Sequence, residues 1–193
     1  MTSCMRGSPD MDALDIQLPL TGETVESLHA GMAVRLSGTC YTARDAAHKR
    51  LIGLLDRSEP LPIPLQGQTI YYVGPSPTPP GRAIGAAGPT TSYRMDAYTP
   101  RLLSLGLKGM IGKGKRSQEV IDAIRREHAV YFGAVGGAAA LLSHHITACE
   151  LIAFPDLQSE AIRRLTIENL PVIVVIDSQG RNLYETAPDE WKK

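Results

Sequence analysis

Four short stretches of this chain combine glycine, hydroxyl and cationic residues: TARDAAHKR (42–50), GPTTSYRMD (88–96), GKGKRS (112–117) and AVGGAAAL (134–141). Glycine lets a ligand approach the backbone, and a helix N-terminus offers free amides to an anion. A guanidinium adds charge in a planar fork that matches a carboxylate. The chemistry within reach of such a set is the binding of a small anion and a proton transfer beside it. Each stretch falls where a strand pattern gives way to a helix pattern, a junction at which a rigid scaffold can hold functional groups.

Individual residues admit two readings. Arg44 begins a helix, where the dipole disfavours a cation. It either meets a bound carboxylate or pairs with Asp45 or another surface acid. Thr90 and Arg94 lie four apart. In a helical turn they would share a face, with the cation favouring the deprotonated hydroxyl. Alternatively, Thr90 and Thr91 cap a helix. Lys113 sits between Gly112 and Gly114 and either points into a pocket or belongs to a solvated turn. GKGKR lacks the full phosphate-loop pattern, and Gly136-Gly137 needs no more than close packing of helix on strand. His48, His144 and His145 have no partner at metal-ligand spacing, so no metal site is expected. His48 reads as a packing or supporting residue, and Cys40 and Cys149 as buried thiols.

The elements that must position these residues follow from period and punctuation. AVRLSGTCY (33–41) alternates as a half-buried strand, and residues 44–56 carry apolar side chains at helical spacing. TIYYVG (69–74) is β-branched and aromatic, hence a strand, and a short strand is expected near 83–87. Thr99 is placed to cap a helix that Gly106 stops. GMIGKGKRS (109–117) is a strand end followed by a glycine-rich turn, and Ser117 caps a helix to about Glu127. Strands are expected at 129–137, 148–154 and 171–177, with helices at 138–145 and 158–166. The last two strands are nearly all apolar, as in a sheet covered on both faces. The sum is an α/β fold, with residues 1–15 as a flexible N-terminal arm and 16–193 as one domain.

Size and charge narrow the classes. At 193 residues the chain can bury a core without staples. Twenty Lys plus Arg balance 20 Asp plus Glu, so no basic footprint for nucleic acid is present. Three cysteines without CxxC spacing argue against a disulfide framework and for a reducing compartment. The N-terminus lacks the apolar stretch of a secretory signal, and no segment has the apolar run that crosses a bilayer. A cytoplasmic location is expected.

Taken in order, LSGTCYTARDAAHKRL (36–51), GQTIYYVGP (67–75), IGAAGPTTSYRMDAYTP (84–100), GLKGMIGKGKRS (106–117), VYFGAVGGAAALL (130–142) and PVIVVIDSQGRNLY (171–184) resemble the β subunit, or C-terminal domain, of class I fumarate hydratases. The likeness runs from about residue 15 to 185. The tartrate dehydratase β subunits share GPTTS, an arginine and GKG. RDAAHKR, YTP and GLKGMIGKGKRS resemble the fumarase branch more.

The resemblance implies a swivelling β/β/α domain packed over a separate α subunit or domain. That partner holds a [4Fe–4S] cluster through three cysteines and leaves one iron open; no cluster ligand is assigned to this chain. It further implies a fumarate/malate dicarboxylate substrate and an (αβ)n hetero-oligomer, with self-association of the isolated chain. Carried over residue by residue, Arg44 matches an arginine that binds a substrate carboxylate, and Arg94 a second one. Thr90 matches a threonine proposed as catalytic base, and Lys113 a lysine that contacts substrate. Asp45 and His48 are supporting. Tyr93 and Lys115 depart from the small residue and the Asn expected there. Beside the fumarate reading stand three others: a tartrate or other hydroxydiacid dehydratase, a non-catalytic anion-binding regulatory module, and a purely structural partner.

Overall fold

The computed structural model describes residues 13–134 and 139–190. Strand β1 (Leu14–Gln17) and helix α1 (Gly22–Ser27) lead into β2 (Ala33–Thr42), α2 (Asp45–Asp56) and β3 (Thr69–Tyr71). A 3-10 turn at Ser92–Met95 precedes α3 (Thr99–Ser104), β4 (Gly109–Gly112), α4 (Gln118–Glu127) and β5 (Val130–Gly133). Then come α5 (Ala139–Ser143), β6 (Ile146–Ala153), a second 3-10 segment at Pro155–Glu160, β7 (Ile162–Ile176) and α6 (Leu183–Glu190).

The strands form one sheet in the order β1-β2-β3-β4-β5-β7-β6, and β2 also pairs with β7. That extra pairing closes β2, β3, β4, β5 and β7 into a small barrel-like ring. Neighbours from β2 to β5 are parallel, whereas β7 runs antiparallel to both β5 and β2. The fold is mixed α/β.

Side chains alternate about the ring. Cys40, Tyr71, Ile111, Phe132 and Leu165 share one core. Their neighbours Tyr41, Ile70, Met110 and Tyr131 share another with Ala47 and Leu51 of α2, Leu102 and Leu103 of α3, and Val120 and Ile124 of α4. Strands β3 and β4 are therefore buried at every position, which is why they read as unbroken apolar runs. At a transfer free energy of roughly 25 cal/mol per Å² of apolar surface, these two cores are the main driving force of folding.

Local signals account for the helix ends. Ser117 caps α4 by accepting from the Val120 amide, and Gly106 ends α3 at φ +100°. Thr99, however, is not a cap. Tyr98 occupies that position, and the Thr99 hydroxyl instead donates to the Met95 carbonyl at 2.9 Å.

Several expectations are corrected. No helix spans 158–166: the 3-10 segment ends at Glu160 and β7 starts at Ile162. Ile162 and Leu165 have helical spacing, but Thr166, Ile167 and the residues beyond are β-branched enough to join the sheet. Residues 83–87 form no strand; Ala87 is held by its carbonyl on the Tyr71 hydroxyl at 2.6 Å and its amide on Ala139. Coverage on both faces holds for only part of the last two strands. β6 is an edge strand, exposed or half-exposed after Ile146, whereas β7 alternates buried with exposed residues up to Ile173 and is buried on both faces from Val174 to Ile176. Strand β1 begins at Leu14, inside the stretch expected as an arm. Cys4 and Gly136-Gly137 lie outside the described residues. Among the described residues no helix is long and apolar enough to cross a membrane.

Candidate active site

The parallel strands end side by side, Thr42 level with Tyr71, Tyr71 with Ile111, and Gly112 with Gly133. Ligands of parallel α/β sheets sit beyond these carboxyl ends, and the candidate residues gather there. Arg44 and Asp45 follow β2, and Lys113 follows β4. The TTS segment is folded back onto the end of β3: Val73 bridges to Pro89, and the Thr90 amide donates to the Tyr72 carbonyl at 2.7 Å. Thr91 then bridges to Lys113 in the parallel sense.

Arg44 is the N-cap of α2, with extended backbone and no side-chain cap bond. Glu160, unremarkable in the sequence, supplies the cap from outside. Its Oε2 accepts from the Ala46 amide at 3.0 Å, and its Oε1 lies 3.3 Å from Arg44 Nη2. The guanidinium lies against Gly74, where a Cβ would come within 2.8 Å of Nη1; a side chain at 74 would push Arg44 away. Arg44 therefore does pair with an acid, but incompletely. Among the described residues its Nε is buried with no hydrogen-bond partner, as is Asp45 Oδ1. A buried donor without an acceptor is costly, so the pairing with Glu160 leaves this guanidinium incompletely satisfied.

Asp45 joins the two arginines. Arg94 Nη2 is 2.7 Å from Asp45 Oδ2, and Arg44 Nη2 is 3.8 Å from Asp45 Oδ1. The second distance is attraction without a hydrogen bond. Two guanidinium groups that are far apart in sequence thus flank one carboxylate. The face is open: the Arg94 side chain is 43% exposed, and Lys113 is exposed.

Thr90 is not in a helical turn. The 3-10 turn starts only at Ser92, after an extended Thr91 with no side-chain cap bond. Spacing four apart therefore does not put Thr90 and Arg94 on one helix face, and neither threonine hydroxyl acts as a cap.

His48 is wholly buried beneath Arg44. Its Nδ1 donates to the Arg44 carbonyl at 2.8 Å, and its ring meets Tyr72 edge-on at 5.4 Å. Burial pulls its pKa down from 6.5 to about 4, so at neutral pH it is uncharged. The unfolded chain takes up this proton below about 6.5 and the folded chain only near 4. Stability from His48 is therefore complete above the first value and is lost as pH falls toward the second, by about 3 kcal/mol. Urea unfolding between these pH values should show a steeper loss for the wild type than for His48→Gln; identical slopes would contradict the assignment.

Residues 3–187 match the family model described as Fumarase C-terminus. The chain belongs to the fumarase C-terminus family. It is 37% identical over 175 residues to fumarate hydratase 2 of Leishmania major, covering 89% of this chain and 31% of that protein. To the aerobic class I fumarate hydratase of Salmonella typhimurium it is 36% identical over 183 residues, 93% of this chain and 32% of that protein. The putative L(+)-tartrate dehydratase subunit beta of Methanocaldococcus jannaschii is 35% identical over 172 residues, 86% of this chain and 88% of that one. The chain spans about a third of the length of the fumarate hydratases it matches.

In this fumarase C-terminus domain, no group of three His, Cys, Asp or Glu among the described residues is placed to hold a metal ion. Cys40 is buried in the ring with its thiol pushed up to about 12 by burial. Cys149 lies on β6, and the two cysteines stand on the two strands that flank β7, each paired with Leu165. These residues do not fit an iron–sulfur cluster.

The domain's second charged centre escaped the sequence reading. Arg116 is buried, with Nε 2.7 Å from Asp96 Oδ1 and Nη2 2.8 Å from Thr99 Oγ1. It lies 5.3 Å and 5.0 Å from the ring centres of Tyr72 and Tyr131. Asp96 Oδ2 also accepts from the Ser117 amide at 2.6 Å. A buried pair of this kind adds little net stability but is costly to break, so it fixes geometry: it ties the turn carrying Arg94 to the loop carrying Lys113. Its one visible signal was opposite charges inside two of the glycine-and-hydroxyl stretches.

Proposed function

We propose that this chain is the cluster-free β subunit of a two-component, cytoplasmic iron–sulfur hydro-lyase that interconverts fumarate and (S)-malate. The carrying observation is the meeting of Arg44 and Arg94 on one carboxylate, at the carboxyl ends of the parallel strands. A four-carbon dianion needs cations at both ends, and Lys113 offers a third beside them.

In the dehydration direction a weakly acidic C3 proton leaves, and negative charge develops on the neighbouring carboxylate. Pre-placed donors stabilise that charge more in the transition state than in the ground state. Arg94 and Arg44 fill this role, Arg44 with the part of its side chain that remains exposed, about a fifth. Thr90 is the proton acceptor or its relay. A hydroxyl is too weak an acid to act unaided, so it needs a nearby cation and a dry pocket. Asp45 balances the two arginines when no substrate is bound, and His48 supports Arg44 from below as a neutral ring. The chemistry at the C2 hydroxyl belongs to a separate α subunit carrying the [4Fe–4S] cluster.

A second reading has its own support. The relative matched nearly end to end, over 88% of its length, is named a putative tartrate dehydratase subunit beta. Hydration and dehydration rates of the assembled complex across a panel of diacids separate the two. Fumarate and malate should be turned over at least about tenfold more efficiently than tartrate, a difference near 1.4 kcal/mol in transition-state binding. The reverse order would replace fumarate with tartrate as the substrate.

A further inference from the structure

Lys113 sits on a glycine-flanked loop, and an exposed lysine on such a loop should wander. Its backbone does not. The Ser92 amide donates to the Lys113 carbonyl at 2.9 Å, and the Lys113 amide donates to Ser92 Oγ at 3.1 Å. The Tyr131 hydroxyl lies 2.9 Å from Ser92 Oγ and 2.9 Å from the Gly114 carbonyl. Proton counting orders these bonds. A carbonyl accepts only, so the single Tyr131 proton goes to Gly114. Ser92 must then donate its own proton to Tyr131 while accepting from Lys113. Every hydroxyl proton is used, and the backbone on both sides of the Lys113 side chain is pinned.

The surroundings fit this closed set of bonds. Ser92 and Tyr131 are fully buried, where hydrogen bonds are stronger and an unmade one is costly. Gly112 allows the approach: a Cβ there would stand 2.0 Å from Ser92 Oγ. Arg116 packs against the Tyr131 ring at 5.0 Å, fixing where its hydroxyl points. Ser92 also opens the 3-10 turn that bears Arg94, so one hydroxyl sets the placement of two cations relative to each other.

We propose that Tyr131 and Ser92 are positioning residues: they hold the Lys113 loop against the turn of Arg94 so that both cations address one dicarboxylate. This inference rests on the substrate-binding role proposed above for Lys113, and the test separates the two. Amide exchange of the full-length chain reads the positioning without any substrate. Tyr131→Phe, which keeps the ring packing, and Ser92→Ala should each speed exchange of the Lys113 amide by at least about tenfold. Steady-state kinetics of the assembled complex reads the consequence. Tyr131→Phe should raise KM for the diacid about tenfold with kcat nearly unchanged, the mark of lost uniform binding. In a Lys113→Ala background the same change should add nothing. Unchanged exchange at Lys113 in both variants overturns the inference and leaves the proposed function standing. An equal KM effect in both backgrounds overturns action through Lys113. If Lys113→Ala itself leaves KM unaltered, the functional half of the inference falls together with the substrate role of that lysine.

Discussion

Arg94→Ala, assayed in complex with the cluster-bearing partner, loses at least about 100-fold in kcat/KM, the usual cost of deleting a charged donor to a developing anion. The argument is geometric. Arg94 projects from a short 3-10 turn held from below by the buried Asp96–Arg116 pair, and the turn opens with the fully buried Ser92. Its guanidinium reaches Asp45 through Nη2 alone, and the side chain is 43% exposed, so it retains donors for a ligand. Removing it strips one end of the proposed diacid site of charge without opening a cavity. Exposed substitutions of this kind change stability by about 0.5 kcal/mol or less, so the thermal midpoint of the variant should match the wild type. Arg94→Lys should fall between the two, because an ammonium keeps the charge but loses the two-pronged contact. Near wild-type turnover in Arg94→Ala would remove Arg94 from the site.

The purified chain, without its partner, should not hydrate fumarate at all. Arg94 and Lys113 stand on an open face, where water screens them and their field is weak. A donor set becomes catalytically strong only where water is excluded. No metal-holding group exists among the described residues either. Mixing with the α subunit should restore turnover, and that turnover should rise and fall with the oxygen-sensitive absorbance of the cluster. Fumarate hydration by the chain alone, in iron-free buffer, would defeat the two-subunit reading.

The sequence made some parts of this architecture plain. The parallel half was legible because β3 and β4 are buried on both faces, β2 begins with the alternation of a half-buried strand, and two helix ends are standard, Ser117 at the start of α4 and Gly106 after α3. The antiparallel half was not. Ring closure by β7 depends on pairing with β2, whose residues lie more than a hundred positions earlier, and Ile162 and Leu165 mimic helical spacing. Among the site residues, cation-rich loops at strand ends marked Arg44, Arg94 and Lys113. Their partners were hidden: Glu160 acquires meaning only when the segment before β7 is brought to the N-terminus of α2. Likewise Tyr131 looks like any core aromatic until its hydroxyl meets Ser92 and Gly114. Thr90 was read in the wrong local conformation, because the chain stays extended through Thr91 and turns only from Ser92.

A crystal structure of the two-subunit complex with a non-reacting four-carbon diacid tests the central claim most directly. One carboxylate should lie within hydrogen-bond distance of the Arg44 guanidinium and the other should engage Arg94, with Lys113 closing on the same molecule. A diacid bound elsewhere, with Arg44 still on Glu160 and Arg94 still on Asp45, would contradict it.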